Sequence, residues 1–196
     1  MDIDKYIGEK IDEVSRLIID FKINCTPQIS EAAILIANCF SSGGKILICG
    51  NGGSAADSQH FAAEFVSSFS RDVKRVSYPA IALTTDTSMI TAYANDFSFE
   101  GIFARQIESL GKKGDVLLVI TTSGTSKNCL AAVSQAKKQG LSTLAFTKLG
   151  GDIAKAVDVT ILVPSNDTQH IQECHVISYH IIAGLVEQLI LARGLE

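Results

Sequence analysis

The chain of 196 residues has no tryptophan, three prolines and two methionines, and only 7% of it is aromatic. So few rings leave no stacking platform for nucleobases. No run of Lys or Arg occurs, and the formal net charge is −4, so the basic footprint of a nucleic-acid binder is missing. The five cysteines (25, 39, 49, 129 and 174) are odd in number and lack C-x-x-C spacing. They read as small buried thiols of a reducing cytoplasm rather than as a disulfide framework or a metal knuckle. Met1-Asp2-Ile3-Asp4 is acidic and precedes no apolar core with a cleavage site, which argues against a secretory signal. The most apolar stretch, Val176 to Leu191, is broken by His180, Glu187 and Gln188, which argues against a membrane span. What the chain does have is 46% hydrophobic residues against 19% charged, the balance of one compact domain with a large core.

Periodicity divides that domain into a helical pair over 1–42 and an alternating remainder over 43–196. Ile3, Ile7, Ile11, Val14, Ile18 and Phe21 draw one stripe along a first helix. Thr26-Pro27 then offers an N-cap and an N1 proline for a second helix, with Ile29, Ala32, Ala33, Ile36 and Phe40 on its buried side. The first stripe is expected to bury either against another subunit or against the chain's own sheet. Beyond Ser42-Gly43-Gly44, short apolar runs predict strands at 45–49, 80–84, 116–120, 142–147 and 159–163. Helices are predicted at 54–68, 88–93, 98–110, 127–139 and 168–192, with a helical turn near 151–157. This alternation specifies an α/β fold, a parallel sheet covered on both faces, in which ligands sit beyond the carboxyl ends of the strands.

Two loops fall at those ends. Thr121-Thr122-Ser123-Gly124-Thr125-Ser126 delivers five hydroxyls and a glycine to the mouth of a helix. Unpaired N–H groups and the positive end of the helix dipole suit an anion there, with no lysine cluster required. Gly50-Asn51-Gly52-Gly53-Ser54 is a second loop of the same kind. Together they point to a sugar phosphate or a nucleotide. Gly50-x-Gly52-x-x-Ala55 also fits a dinucleotide fingerprint, but the acid expected about 20 positions on at the end of the next strand is missing, and the nearest strand-end acid, Asp86, lies well beyond.

His60 and Glu64 lie four apart on the helix that opens after the glycine loop, so they share a face. Such a pair is a solvated surface contact or, behind an anion-binding turn, an acid/base pair or part of a metal site. The last helix carries Gln169, His170, Gln172, Glu173, His175 and His180. His180 sits in an apolar context and reads either as a core histidine bonded to a carbonyl or as a group facing Glu64. Gln172 and His180, about 12 Å apart along the axis, reach one site only if it lies between them. Asn95-Asp96 reads as an Asx turn or N-cap for a helix beginning near Phe97, or alternatively as a contact to sugar hydroxyls.

Taken together, these residues resemble the sugar isomerase (SIS) family of phosphosugar-binding domains. The matching segments are Gly50–Asp57, Gln59–Glu64, Ala82–Asp86, Ala94–Asp96, Thr122–Gly124 with Ser126, and Ile171–Glu173 followed by His175 and His180. The resemblance implies a flavodoxin-like, doubly wound five-stranded sheet, and a homotetramer built on the N-terminal helices with active sites between subunits. It implies aldose–ketose isomerisation of D-sedoheptulose 7-phosphate through an enediol, opening the synthesis of a nucleotide-activated heptose. Glu64 would be the base and His180 its partner. Zinc would sit on His60, Glu64, Gln172 and His180. Phosphate would be held by Thr121, Thr122, Ser123 and Ser126, and the sugar by Asn51, Gly52, Gly53, Ser54, Asn95 and Asp96. Two arginines usual in the family are replaced here by Ser68 and His170, which removes two guanidiniums from the far end of the substrate and the active-site helix. A non-catalytic branch of the same fold binds the bacterial replication initiator; it lacks the positions matching Glu64 and His180, which this chain keeps.

Overall fold

The computed structural model describes residues 1–194. Its sheet has five parallel strands in the order β2-β1-β3-β4-β5: β1 Ile46–Gly50, β2 Ala80–Ala82, β3 Val116–Ile120, β4 Ser142–Lys148 and β5 Val159–Val163. The helices are α1 Ile3–Ser41, α2 Gly53–Val66, α3 Thr87–Asp96, α4 Ile102–Leu110, α5 Lys127–Lys138, α6 Asp152–Ala156 and α7 Thr168–Leu191. Every residue of β1 and β3 is buried, as continuous apolar runs of a doubly covered sheet require. Alternate residues of β3 feed two cores. Val116, Leu118 and Ile120 join α1, α2 and α7 on one face, while Leu117 and Val119 join α4 and α5 on the other. The flavodoxin-like, doubly wound architecture expected from the sequence is therefore present.

The chain steps from β1 outward to β2 and then crosses back to β3, which makes the gap between β1 and β3 the switch point of the sheet. Gly50 pairs with Ile120 across that gap, so the loops beginning at Asn51 and Thr121 leave the sheet side by side. The two sequence-predicted anion loops are neighbours because of this register.

The N-terminal helical pair is not two helices. Helix α1 runs unbroken for 39 residues with Pro27 inside it. Leu17, Phe21, Cys25, Ile29, Ala32 and Ile36 form one buried seam through the proline, on the side where α1 meets α7 and β5. A proline inside a helix costs about 3 kcal/mol; burying several such side chains at about 1.5–3 kcal/mol each outweighs it. Thr26 Oγ1 donates to Lys22 O at 2.6 Å and Asn24 Nδ2 donates to Asp20 O at 2.7 Å, so polar side chains bond the carbonyls of the preceding turn. The predicted first stripe divides. Phe21 is buried, but Ile3, Ile7, Ile11 and Ile18 stay exposed on the single chain.

Smaller differences follow from local chemistry. Strand β2 ends at Ala82, because Leu83 still donates to Ile48 O but Thr84 and Thr85 turn away. Helix α3 extends through Asn95 and Asp96, so these residues close a helix rather than start one. The cap of the following turn, Phe99–Gly101, is Ser98, whose Oγ accepts from Gly101 N.

Candidate active site

At the carboxyl ends of β1 and β3 a small polar cavity of about 80 Å³ is lined by Asn51, Ser54, Thr121, Thr122, Ser123 and Ser126. The hydroxyls of Thr121, Ser123 and Ser126 form a triangle with sides of 3.2, 3.2 and 3.4 Å. Neither helix that opens onto the cavity has a side-chain cap: Gly52 precedes α2 and Ser126 precedes α5 without bonding the first turn. Ser54, Ala55 and Cys129 N–H are already bonded to Asn51 O, Gly52 O and Asn128 Oδ1, which leaves the N–H groups of Gly53, Lys127 and Asn128 to add to the hydroxyl donors, the composition of an anion site.

The loop conformation depends on glycine at two places. Gly52 has φ +56°, and Gly124 has φ +70° with its Cα packed on Gly151 so closely that a Cβ would lie 2.8 Å from it. Ile153 N donates to Gly124 O at 3.0 Å, bracing the hydroxyl loop from the start of α6. Asn128, which sequence reasoning passed over, exchanges two amide bonds with Asn51 at 3.0 and 2.8 Å and fixes its orientation. A partner-seeking Asn in the first turn after the cap was the available signal.

The second assembly lies where α2 meets α7. Metal-ligating atoms of His60, Glu64 and His180 fall within 4.8 Å of one another. His60 Nε2 lies 3.0 Å from Glu64 Oε1, and the His60 and His180 rings meet edge to face at 5.1 Å between centroids. His180 is half-buried rather than buried. The fully enclosed histidine of this helix is His175, whose pKa burial pushes down to about 4. Of the two readings open for His180, the one facing Glu64 is the one the geometry realises.

Gln172 ties α7 to α2. Its Nε2 donates to Asp57 Oδ2 at 3.0 Å, and its amide covers Gly53, where a Cβ would overlap it. Burial lifts the Asp57 carboxyl above its ordinary value, against the opposing pull of Gln172 and His60. Tyr179 is buried, its hydroxyl 2.9 Å from His60 Nδ1, its ring stacked on Phe61 at 5.4 Å. Burial and the negative charges of Asp57 and Glu64 push its phenol up to about 12.

Below the cluster a buried clamp joins the same two helices. Arg75 Nε pairs with Glu187 Oε2 of α7 at 2.7 Å, with side-chain exposures of 1% and 5%. Three of its other N–H groups take Glu64 O and Phe65 O of the last turn of α2 and Val76 O, each at 2.9 Å. Its guanidinium also lies over the Tyr78 ring at 4.1 Å. Neither Ser68, whose Oγ donates to Ser70 O, nor the exposed Arg71 does this. His170 instead lies between Glu173 at 2.9 Å and Glu13 of α1 at 3.3 Å.

Asn95 and Asp96 bond each other at 2.9 Å on an exposed surface and do not line the hydroxyl cavity. A larger open cleft of about 560 Å³ beside α4, lined by Asp86, Met89, Arg105 and Gln106 among others, contains none of the predicted site residues.

The SIS domain model matches residues 11–148. The phosphoheptose isomerase of Thermodesulfovibrio yellowstonii is 45% identical over 191 residues, covering 97% of this chain and 94% of that protein. The chain belongs to the phosphoheptose isomerase family. A phosphoheptose isomerase of Roseiflexus sp. is 48% identical over 163 residues, covering 83% of this chain and 82% of its own length. Among solved structures, a phosphoheptose isomerase from Francisella tularensis superposes with a TM-score of 0.92 at 36% identity, covering 96% of this chain and 100% of that one. The phosphoheptose isomerase from Neisseria gonorrhoeae gives 0.89 at 37% identity, over 95% and 99%. Membership of this family matches the resemblance carried by the glycine loop, the His60–Glu64 pair and the hydroxyl loop.

Proposed function

We propose that this protein is an aldose–ketose isomerase that converts D-sedoheptulose 7-phosphate to D-glycero-D-manno-heptose 7-phosphate. The observation that carries the reading is the convergence of Glu64 and His180, from helices distant in sequence, on one patch beyond an anion cavity. The axial rise from Ser54 to His60 along α2, about 9 Å, suits a sugar phosphate lying extended between the two.

Phosphate sits among Thr121, Thr122, Ser123 and Ser126, with Ser54 and the two uncapped helix starts. Asn51, Gly52 and Gly53 meet sugar hydroxyls, as do Asn95 and Asp96 from the exposed end of α3. The Glu64 carboxylate takes a proton from C1 of the ketose while His180 donates one to O2, which gives the enediol. Removal of the O1 proton and return of the carbon-bound proton to C2 yields the aldose.

The donor set of His60, Glu64 and His180 fits zinc, with Gln172 joining through Oε1 while Asp57 holds its Nε2. Bound there, zinc would polarise the carbonyl. The exposed isoleucines of α1, and the apolar surface of Phe69 and Ile181 beside His180, support a homotetramer with active sites between subunits. A monomer by light scattering at micromolar concentration would contradict that assembly. Five free buried thiols suit a cytoplasmic location. The convergence of Glu64 and His180 favours catalysis over the initiator-binding scaffold, in which those positions are replaced.

The deciding assay follows conversion of sedoheptulose 7-phosphate. Glu64→Gln is expected to lower kcat by about 10²–10⁴-fold while substrate still binds by calorimetry. Wild-type protein that binds the sugar phosphate but does not isomerise it would overturn the reading.

A further inference from the structure

Tyr179 has no place in the proton transfers described above, yet its hydroxyl is the partner of His60 Nδ1, at 2.9 Å. The other ring nitrogen, Nε2, faces Glu64 Oε1 at 3.0 Å. An ionised carboxylate only accepts hydrogen bonds, so in the neutral imidazole without a metal Nε2 carries the hydrogen and Nδ1 is the acceptor. The Tyr179 O–H then donates to Nδ1. A metal on Nε2 requires the other tautomer, with Nδ1–H donating to the phenolic oxygen. A hydroxyl serves both states because it donates in one and accepts in the other. Only its hydrogen has to rotate.

The tyrosine ring itself is held still. It is 1% exposed, stacked on Phe61 and edge-on to His180 at 4.6 Å, so the hydroxyl cannot swing away. His60 by contrast is exposed on the surface of α2 and has no other side-chain partner for Nδ1 among the described residues. A half-solvated imidazole would otherwise be free to rotate about its side chain or to present either nitrogen. We infer that Tyr179 is a positioning residue for a metal on His60, a hydroxyl that holds the imidazole with Nε2 toward Glu64 and His180 and accepts the Nδ1 hydrogen when the metal binds. This rests on the metal reading of the cluster given above, and it deepens that reading by naming what orients its histidine.

Tyr179→Phe removes only the hydroxyl and keeps the ring on Phe61. Zinc affinity of the purified protein, measured by competition with a chromophoric chelator, is expected to fall by about 10–100-fold, with unchanged circular dichroism and near wild-type turnover once zinc is saturating. Independently of any variant, long-range ¹H–¹⁵N correlation spectra of the wild type should show His60 protonated on Nε2 without zinc and on Nδ1 with it. Wild-type zinc affinity in Tyr179→Phe, the same tautomer in both states, or no zinc binding by the wild type would each overturn the inference. If zinc affinity depends on Tyr179 but sedoheptulose 7-phosphate is not isomerised, the inference stands and the isomerase reading falls. If the sugar is isomerised but zinc affinity ignores Tyr179, the reverse holds.

Discussion

The stretch Thr121–Ser126 supplies most of the anion cradle from consecutive residues, whereas the carboxylate–imidazole cluster is drawn together from α2 and α7, with Tyr179 and His60 separated by 119 positions. The first region is shaped by backbone: a strand end, a left-handed glycine and an uncapped helix start. The second is shaped by buried polar side chains that tie two helices, the Arg75–Glu187 pair below the cluster and Tyr179 within it. The difference separates two ways of failing. Damage to the cradle should cost anion affinity, and damage to the clamps should cost the relative placement of the reacting groups.

The largest effect should come from the clamp. Arg75→Met leaves the Glu187 carboxylate buried without its partner and takes the guanidinium donor from three carbonyls, of which Phe65 O keeps the Tyr78 N–H. Orphaning one member of a buried pair costs about 3–5 kcal/mol. Urea unfolding should record that loss, and kcat should fall because Glu64 shares the last turn of α2 that Arg75 closes. Because the charge itself is the problem, Arg75→Met combined with Glu187→Met should recover much of the stability but little of the turnover. A single variant within about 1 kcal/mol of wild type would mean that packing alone holds α2 against α7.

The same contrast governs what could be read from the sequence. The cradle was legible because its chemistry is local: strand, hydroxyls, glycine and helix follow one another within a dozen positions, and the register of β1 on β3 then placed the two loops together. His60 and Glu64 were legible as a pair for the same reason of spacing. Arg75 was not, because nothing in Lys74-Arg75-Val76 distinguishes a buried guanidinium from a solvated one until α7 brings Glu187 to it. Tyr179 is no more legible, since its hydroxyl's partner, His60, lies on another helix. The division of α1 at Thr26-Pro27 followed valid local rules that a long buried seam overrode. His175 is enclosed and His180 half-buried for a rotational reason: five residues apart on a helix, they point in different directions, and only packing tells which one faces β4.

At the cradle the next effect in size belongs to Gly124→Ala. The substitution places a side chain at φ +70° and 2.8 Å from Gly151 Cα, a conflict of backbone with backbone. Strain of this kind costs about 1–3 kcal/mol, and moving the loop should weaken protection by inorganic phosphate in a thermal-shift titration by about tenfold or more, roughly the 1.4 kcal/mol of a distorted donor set. Zinc affinity of the site proposed at His60 should not change. An equal fall in zinc affinity would show that the two regions are one mechanical unit.

The smallest effect sits where the regions meet, in the first turn of α7, which carries Gln172 over Gly53 and His170 against α1. Hydrogen bonds that His170 donates to Glu173 first and Glu13 second hold its pKa above the ordinary value. A raised pKa means the folded protein binds the proton more tightly than the unfolded chain, so this contribution is whole below about pH 6.5 and fades as pH rises through the folded value. His170→Gln should therefore lower the melting temperature by about 1–2 °C near pH 6 and by nothing measurable at pH 9, the scale of a solvent-screened pair. His170→Arg supplies a charge that does not titrate in this range, so its melting temperature should keep a constant offset from that of His170→Gln between those two pH values, while that of the wild type should not. A His170→Gln deficit equal at both pH values would assign the contact to packing of α7 on α1 rather than to charge.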